Sequence, residues 1–277
     1  MPASSDGNRS EQAARPTSMR PGTAADILVE SLREPTDSLP IIVDRQRFAL
    51  QTKVSRQANS EARRFARCAK PDNRRLLRAA IDGPVNQRPT QWALDRIIRT
   101  HQGCYSGLPV FLPPPAPYYG VCNPQIVQQI AGQPISICRA IYDRAALIDR
   151  VLDRYVPHLS LTTTQLLDPV VHARFRARED ERNVSRLSSD LRYFGVAACI
   201  VAVQPKRALA LRQSEPGSAS ETRLITVLVG TATTCLGGVK RVKLDAVQFR
   251  AYIIDAIYSW AVALKGADSL IPPADGD

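Results

Sequence analysis

Four arginines recur at every fourth position: Arg174, Arg178, Arg182 and Arg186. On a helix that spacing stacks them along one face, and a row of planar guanidinium groups matches a row of phosphates. A second series, Arg63, Arg67, Arg74 and Arg78 with Arg75 alongside, repeats the pattern across an interruption at Pro71. The chemistry expected of both is bidentate recognition of phosphate or carboxylate groups. They differ in their company. Glu179, Asp180 and Glu181 sit inside the Arg174–Arg186 series and Asp190 lies just beyond it, so local ion pairing competes with phosphate contact there. Residues 45–99 instead carry fourteen Lys and Arg against four acids, whereas residues 1–44 are net acidic. Residues 100–138 contain no Lys, Arg, Asp or Glu. The net charge of +11 is therefore concentrated in one segment, which makes Arg63, Arg67, Arg74, Arg75 and Arg78 the stronger polyanion candidates. Arg outnumbers Lys, which suits phosphate recognition but also follows from GC-rich coding.

Other constellations are weaker. His101-Gln-Gly-Cys104, with Cys122 and Cys138 downstream, supplies four nitrogen and sulfur ligands. Structural zinc sites pair their ligands closely at both ends, and here the second pair is far apart. No metal or other cofactor is expected. The six cysteines (Cys68, Cys104, Cys122, Cys138, Cys199 and Cys235) read as free, buried or half-buried thiols, because the chain is long, sparsely cysteined and opens without an apolar leader. Cys104 with His158 or His172 is the only thiol–imidazole pairing to weigh, and no nucleophile signature surrounds any Ser or Cys. Gly230 to Gly238 lacks the Lys-Ser/Thr ending of a phosphate loop. Asp149 and Asp153 lie one helical turn apart beside Arg150 and Arg154, which predicts salt bridging rather than acid–base work. No residue is assigned a catalytic role.

The elements that must position these residues are mostly helical. Residues 1–22 lack periodic hydrophobics and read as a disordered arm. Thr23 caps a short helix over 24–32, and 39–43 is β-prone. Phe48, Leu50, Val54, Ala58, Ala62 and Phe65 place an apolar stripe on a helix over 45–69. A second helix restarts at Asp72 or Asn73, and a third follows Thr90 with Trp92, Leu94, Ile97 and Ile98 facing inward. The Pro- and Gly-rich stretch 103–124 reads as a connecting segment between two helical lobes, 23–102 and 125–266. Its Tyr105, Tyr118 and Tyr119 are candidates for stacking on bases, with packing onto the domain as the default.

Helices are then predicted over 137–155 and from Asp168-Pro169 to about Val203 with a break near Ser188 and Ser189. Residues 213–221 read as a loop, and 222–242 as a small β-hairpin turning at Gly237-Gly238. A final helix covers 244–264, followed by a frayed tail over 267–277. No internal repeat is visible. The fold class expected is mainly α, a multi-helix globular protein.

These readings converge on a non-enzymatic structural protein that binds RNA or another nucleic acid through Arg-rich helical faces and self-associates into a homo-oligomer. Its layout is similar to that of helical viral nucleoproteins and coat proteins, a likeness of architecture carried by no motif. The alternative is a protein–protein interaction module, such as a bacterial effector or adaptor, that binds an acidic partner. No stretch reaches the roughly 20 apolar residues of a transmembrane span. The location expected is intracellular and soluble: cytoplasmic, or the virion for a coat protein.

Overall fold

Caps and apolar periodicity set the helices. In the computed structural model, which describes residues 26–30, 45–104, 125–130, 133–138, 140–186, 188–236 and 241–274, the order is β1 (Asp26–Glu30), α1 (Arg45–Ala69), α2 (Arg74–Asp82), α3 (Arg88–Thr100), a 3-10 turn (Gln102–Cys104), β2 (Gln125–Ile130) and β3 (Gln133–Cys138). There follow α4 (Ala140–Tyr155), α5 (Thr163–Leu166), α6 (Pro169–Arg182), α7 (Ser188–Val203), α8 (Pro205–Gln213), α9 (Ala219–Thr231), a second 3-10 turn (Thr233–Leu236), β4 (Arg241–Asp245) and α10 (Ala246–Lys265). The protein is mainly helical. Two short antiparallel pairings, β1 with β4 and β2 with β3, accompany the helices.

α10 is the centre of the molecule. Asp245 caps it by accepting from Val247 N at 2.9 Å, and Gly266 ends it in the left-handed conformation at φ 62°. Nearly every side chain from Ala246 to Ala263 is buried, the mark of a helix surrounded on all sides. α4 lies against α10 and is itself covered by α1, α2 and α3, while α6, α7 and α8 cover α10. Phe65, Leu94, Ile98, Leu147, Leu228 and Trp260 share one contiguous core, so helices on both sides of residues 105–124 pack together. The arm over 1–22, the β-prone 39–43, Tyr105, Tyr118, Tyr119 and most of the Pro-rich segment lie outside the described residues.

Several expectations are corrected. Residues 26–30 pair as a strand with 241–245, where a helix was expected. The hairpin expected over 222–242 is absent: 219–231 is helix α9. Ser218 accepts from Glu221 N at 3.1 Å, and Glu221 Oε2 accepts from Gly217 N at 2.5 Å. This cap, together with burial of Ile225, Leu228 and Val229, outweighs the β preference of Thr222, Thr226 and Val227. α3 begins at Arg88, not after Thr90, and Trp92 is 47% exposed rather than inward. Finally, four cysteines are disulfide-bonded, Cys68 to Cys104 and Cys199 to Cys235, so these are not free thiols. That removes Cys104 from the zinc set and from either His dyad.

Candidate nucleic-acid interface

The Arg174–Arg186 series turns into the protein. α6 opens on Asp168, whose carboxylate accepts from Val170 and Val171 N, with Pro169 behind it. The helix then buries Val171, Phe175, Glu179 and Arg182 against α10, where Phe175 stacks on Trp260 at 3.8 Å. That packing turns Arg178 and Arg182 inward. Arg178 Nη2 donates to Asp82 at 2.7 Å and its Nη1 to Glu179 at 2.8 Å. Arg182, with its side chain 3% exposed, donates to Glu179 at 2.6 Å, Ser259 at 2.8 Å and Asp255 at 3.2 Å. Arg186, beyond the end of the helix, donates to Asp255 at 2.6 Å and Asp190 at 3.0 Å. Arg144 from α4 completes the set, donating to Asp255 and to the Ile81 carbonyl. Asp255 thus accepts from three guanidinium groups.

This is an internal ion network, and the expectation of an exposed ridge there is corrected. The periodicity was real, but the carboxylates of α2, α7 and α10 converge on the same face. Only Arg174 stays exposed, beside Gly266. Burial pushes Glu179 up to about 7 against the pull of Arg178. Burial and the neighbouring Asp82 and Asp190 hold the Tyr258 and Tyr252 phenols above their ordinary value. For Arg186 burial disfavours the charge, and Asp255 and Asp190 more than offset it. The cavity beside the network, lined by Gln91, Arg144, Arg186 and Asp255 among others, has a volume of about 30 Å³, room for water but not for a substrate.

The other basic segment is placed differently. α1 buries Ala58, Ala62, Phe65, Ala66 and Ala69, which leaves Arg67 exposed and Arg63 half-buried on the side towards Arg250. Asn73 caps α2 by accepting from Leu76 N at 2.9 Å. Burial of Leu77, Ala80 and Ile81 then presents Arg75 to solvent and leaves Arg74 and Arg78 half-buried. Arg74 reaches the Pro273 carbonyl at 3.1 Å. On α3, Arg88 and Arg96 are exposed. The acids of the segment are engaged: Asp82 by Arg178, Tyr258 and Ser269, Asp95 by Arg99, Asp72 by Arg154, and Glu61 by Gln57. Two of these four carboxylates therefore neutralise arginines from outside the segment.

Trp92 stands over a groove of about 300 Å³ between α2 and α3, lined also by Pro71, Asn73, Leu76, Arg96 and His101. Its lining is mostly apolar, with Arg96 and His101 among the polar members, a combination suited to stacking a flat ring beside a phosphate. Reasoning from sequence missed this site because the helical spacing of Trp92 with Leu94, Ile97 and Ile98 suggested an inward face. The signal available was Arg88 and Arg96, one turn to either side of Trp92.

Asp149 and Asp153 are bridged by Arg212, which donates to both, and Asp153 also pairs with Arg150 at 3.9 Å. Both are ion-paired as expected, but chiefly with Arg212 of α8 rather than with the neighbouring Arg150 and Arg154. Among the described residues no cluster of three His, Cys, Asp or Glu is placed to hold a metal, and no single helix is long and apolar enough to cross a membrane. No known family model, curated protein or solved structure matches the chain.

Proposed function

We propose that this is a non-enzymatic nucleic-acid-binding protein of structural type, coat- or nucleoprotein-like, and that it grips single-stranded RNA on the α1–α3 face. The observation that carries the reading is the exposed Trp92, set between Arg88 and Arg96 in a segment whose carboxylates are already engaged. Arg67, Arg75, Arg88 and Arg96 supply phosphate contacts, with Arg63, Arg74 and Arg78 at the margin, and Trp92 supplies stacking. Arg178, Arg182 and Arg186 take no part in it, and the exposed Arg174, beside Gly266, is not on the α1–α3 face. Coating a long strand calls for self-association along it.

The test uses a labelled oligouridylate and fluorescence anisotropy at several salt concentrations. Affinity falls steeply with salt, and bound RNA quenches Trp92, the exposed member of a Trp pair whose other member, Trp260, is buried. Undetectable or salt-insensitive binding rejects the proposal.

A second reading has its own observation. Two disulfides favour an oxidising compartment over the reduced cytoplasm, and so lend weight to an exported interaction module that binds an acidic protein through the same face. Nuclease-resistant capture of one defined acidic partner, with no RNA affinity, would decide for it.

A further inference from the structure

The two disulfides are related by more than their type. Each spans a sequence separation of 36, with Cα–Cα distances of 5.5 and 5.6 Å. The offset that carries Cys68 to Cys199 and Cys104 to Cys235 also carries α2 (Arg74–Asp82) onto α8 (Pro205–Gln213), nine residues each. It carries α3 (Arg88–Thr100) onto α9 (Ala219–Thr231), thirteen residues each, and the first 3-10 turn onto the second. It matches details within the turns. Asn86 at φ 66° and Gly217 at φ 79° are the two positive-φ residues of the α2–α3 and α8–α9 connections. Gln87 N donates to the Pro84 carbonyl as Ser218 N does to Glu215, and Cys104 N to His101 as Cys235 N does to Ala232.

Packing follows the same correspondence. Leu94, Ile97 and Ile98 are buried, as are their counterparts Ile225, Leu228 and Val229. Each unit continues through a strand into a central helix, β3 into α4 and β4 into α10. α4 packs on α1 as α10 packs on α7, and the two central helices pack on each other. Between residues 66–104 and 197–235 only five positions are identical, two of them the bridging cysteines, which is why the repeat is invisible in the sequence.

We infer that the chain contains two copies of one disulfide-stapled three-helix unit, and that the second copy presents a second phosphate-contact face, Lys206, Arg207 and Arg223, where the first has Arg75, Leu76 and Trp92. All three side chains are exposed. The site deepens the RNA-binding reading and rests on it. Leu76 and Trp92 line the groove between α2 and α3; their counterparts Arg207 and Arg223 exchange an aromatic-lined site for a guanidinium-rich one, suited to phosphate rather than to a base. Arg207 is steadied by Gln204, which accepts from it at 3.0 Å at the position equivalent to Asn73. Of the acids in α8, α9 and their connection, Glu221 is turned inward onto Arg250 and Gly217 N, and Glu215 is exposed in the connection.

Oligouridylate binding by the full chain tests the inference in two variants, Lys206→Gln/Arg207→Gln/Arg223→Gln and Arg75→Gln/Arg88→Gln/Arg96→Gln, each with an unchanged melting temperature. The α8–α9 variant is expected to bind roughly tenfold more weakly at low salt, with the log–log salt slope reduced by about two and Trp92 quenching at saturation unchanged. If that variant binds like wild type while the α2–α3 variant loses affinity, the second face is wrong and the RNA-binding reading stands. If wild type itself binds no RNA, both fall. The duplication is read separately, by peptide mapping without reduction. Cys68–Cys104 and Cys199–Cys235 bridges support it, and crossed pairings or free thiols at these four positions overturn it.

Discussion

Two basic regions meet opposite fates in this protein, the Arg174–Arg186 series and the Arg-rich segment 45–99, in whose own four-residue series Arg67 is exposed and Arg63, Arg74 and Arg78 are half-buried. On α6 and just beyond it, Arg178, Arg182 and Arg186 are drawn into an internal network, whereas on α1, α2 and α3 the exposed Arg67, Arg75, Arg88 and Arg96 face water. Helical spacing says only that side chains share a face. Which way the face points depends on what the neighbouring helices bring to it. α6 meets Asp255 and Ser259 of α10 and Asp82 of α2, whereas among the described residues the Trp92 groove is lined by α2, α3 and the turns at their ends. A basic ridge is a binding surface only where the fold supplies no carboxylates to it.

The largest effect should come from removing the hub of the internal network. Asp255→Ala leaves Arg144, Arg182 and Arg186 without their common acceptor, and breaking a buried pair of this kind costs about 3–5 kcal/mol, a large share of a typical domain's stability. Asp72→Ala, which removes an exposed pairing to Arg154, should cost less than about 1 kcal/mol. Urea denaturation of both variants checks the contrast, and equal losses would break it.

Opening the first staple comes next. Cys68→Ala/Cys104→Ala frees a closed loop and should cost about 3–4 kcal/mol on the chain-entropy account. Hydrogen exchange should rise in α1–α3 and not in α7–α9, and the Cys199→Ala/Cys235→Ala variant should show the reverse.

A smaller, pH-dependent effect belongs to Glu179. Its folded carboxyl titrates at about 7 against an ordinary 4.5, so between those values the native state holds more protons than the unfolded chain. Its contribution makes stability fall as pH rises from about 4.5 to about 7 and level off above. Glu179→Gln should shrink the drop in urea midpoint between pH 5 and pH 7.5, and an unchanged drop would remove Glu179 as its source. Smallest of all, Arg75→Gln/Arg96→Gln should move stability by less than about 0.5 kcal/mol, because both side chains are exposed, while weakening polyanion binding.

The parts of the fold legible in the sequence are those written in local chemistry. Asp168-Pro169 starts α6, Pro71 separates α1 from α2, and the apolar spacing around Ile148 and Val151 marks α4. What depends on partners distant in sequence was not legible. The β-branched run 222–229 reads as strand until Ser218 and Glu221 are recognised as a cap and the burial of Ile225 and Leu228 is known. Trp92 fits a core stripe until α3 is seen to pack through Leu94 and Ile98 instead. Six cysteines admit many pairings, and only the equal spacing of Cys68 to Cys104 and Cys199 to Cys235 hinted at two matched bridges. The surplus of base over acid in residues 45–99 pointed to exposed cations, which Arg67, Arg75, Arg88 and Arg96 are, because a shortage of nearby carboxylates limits how many guanidinium groups the segment can pair within itself.

Salt-dependent binding of oligouridylate by wild type, by Arg75→Gln/Arg88→Gln/Arg96→Gln and by Arg174→Gln tests the central claim most directly. Wild type should show a steep salt slope, the α2–α3 variant a slope shallower by about two, and Arg174→Gln little change. An unchanged slope in the α2–α3 variant, or a loss confined to Arg174→Gln, would contradict that claim.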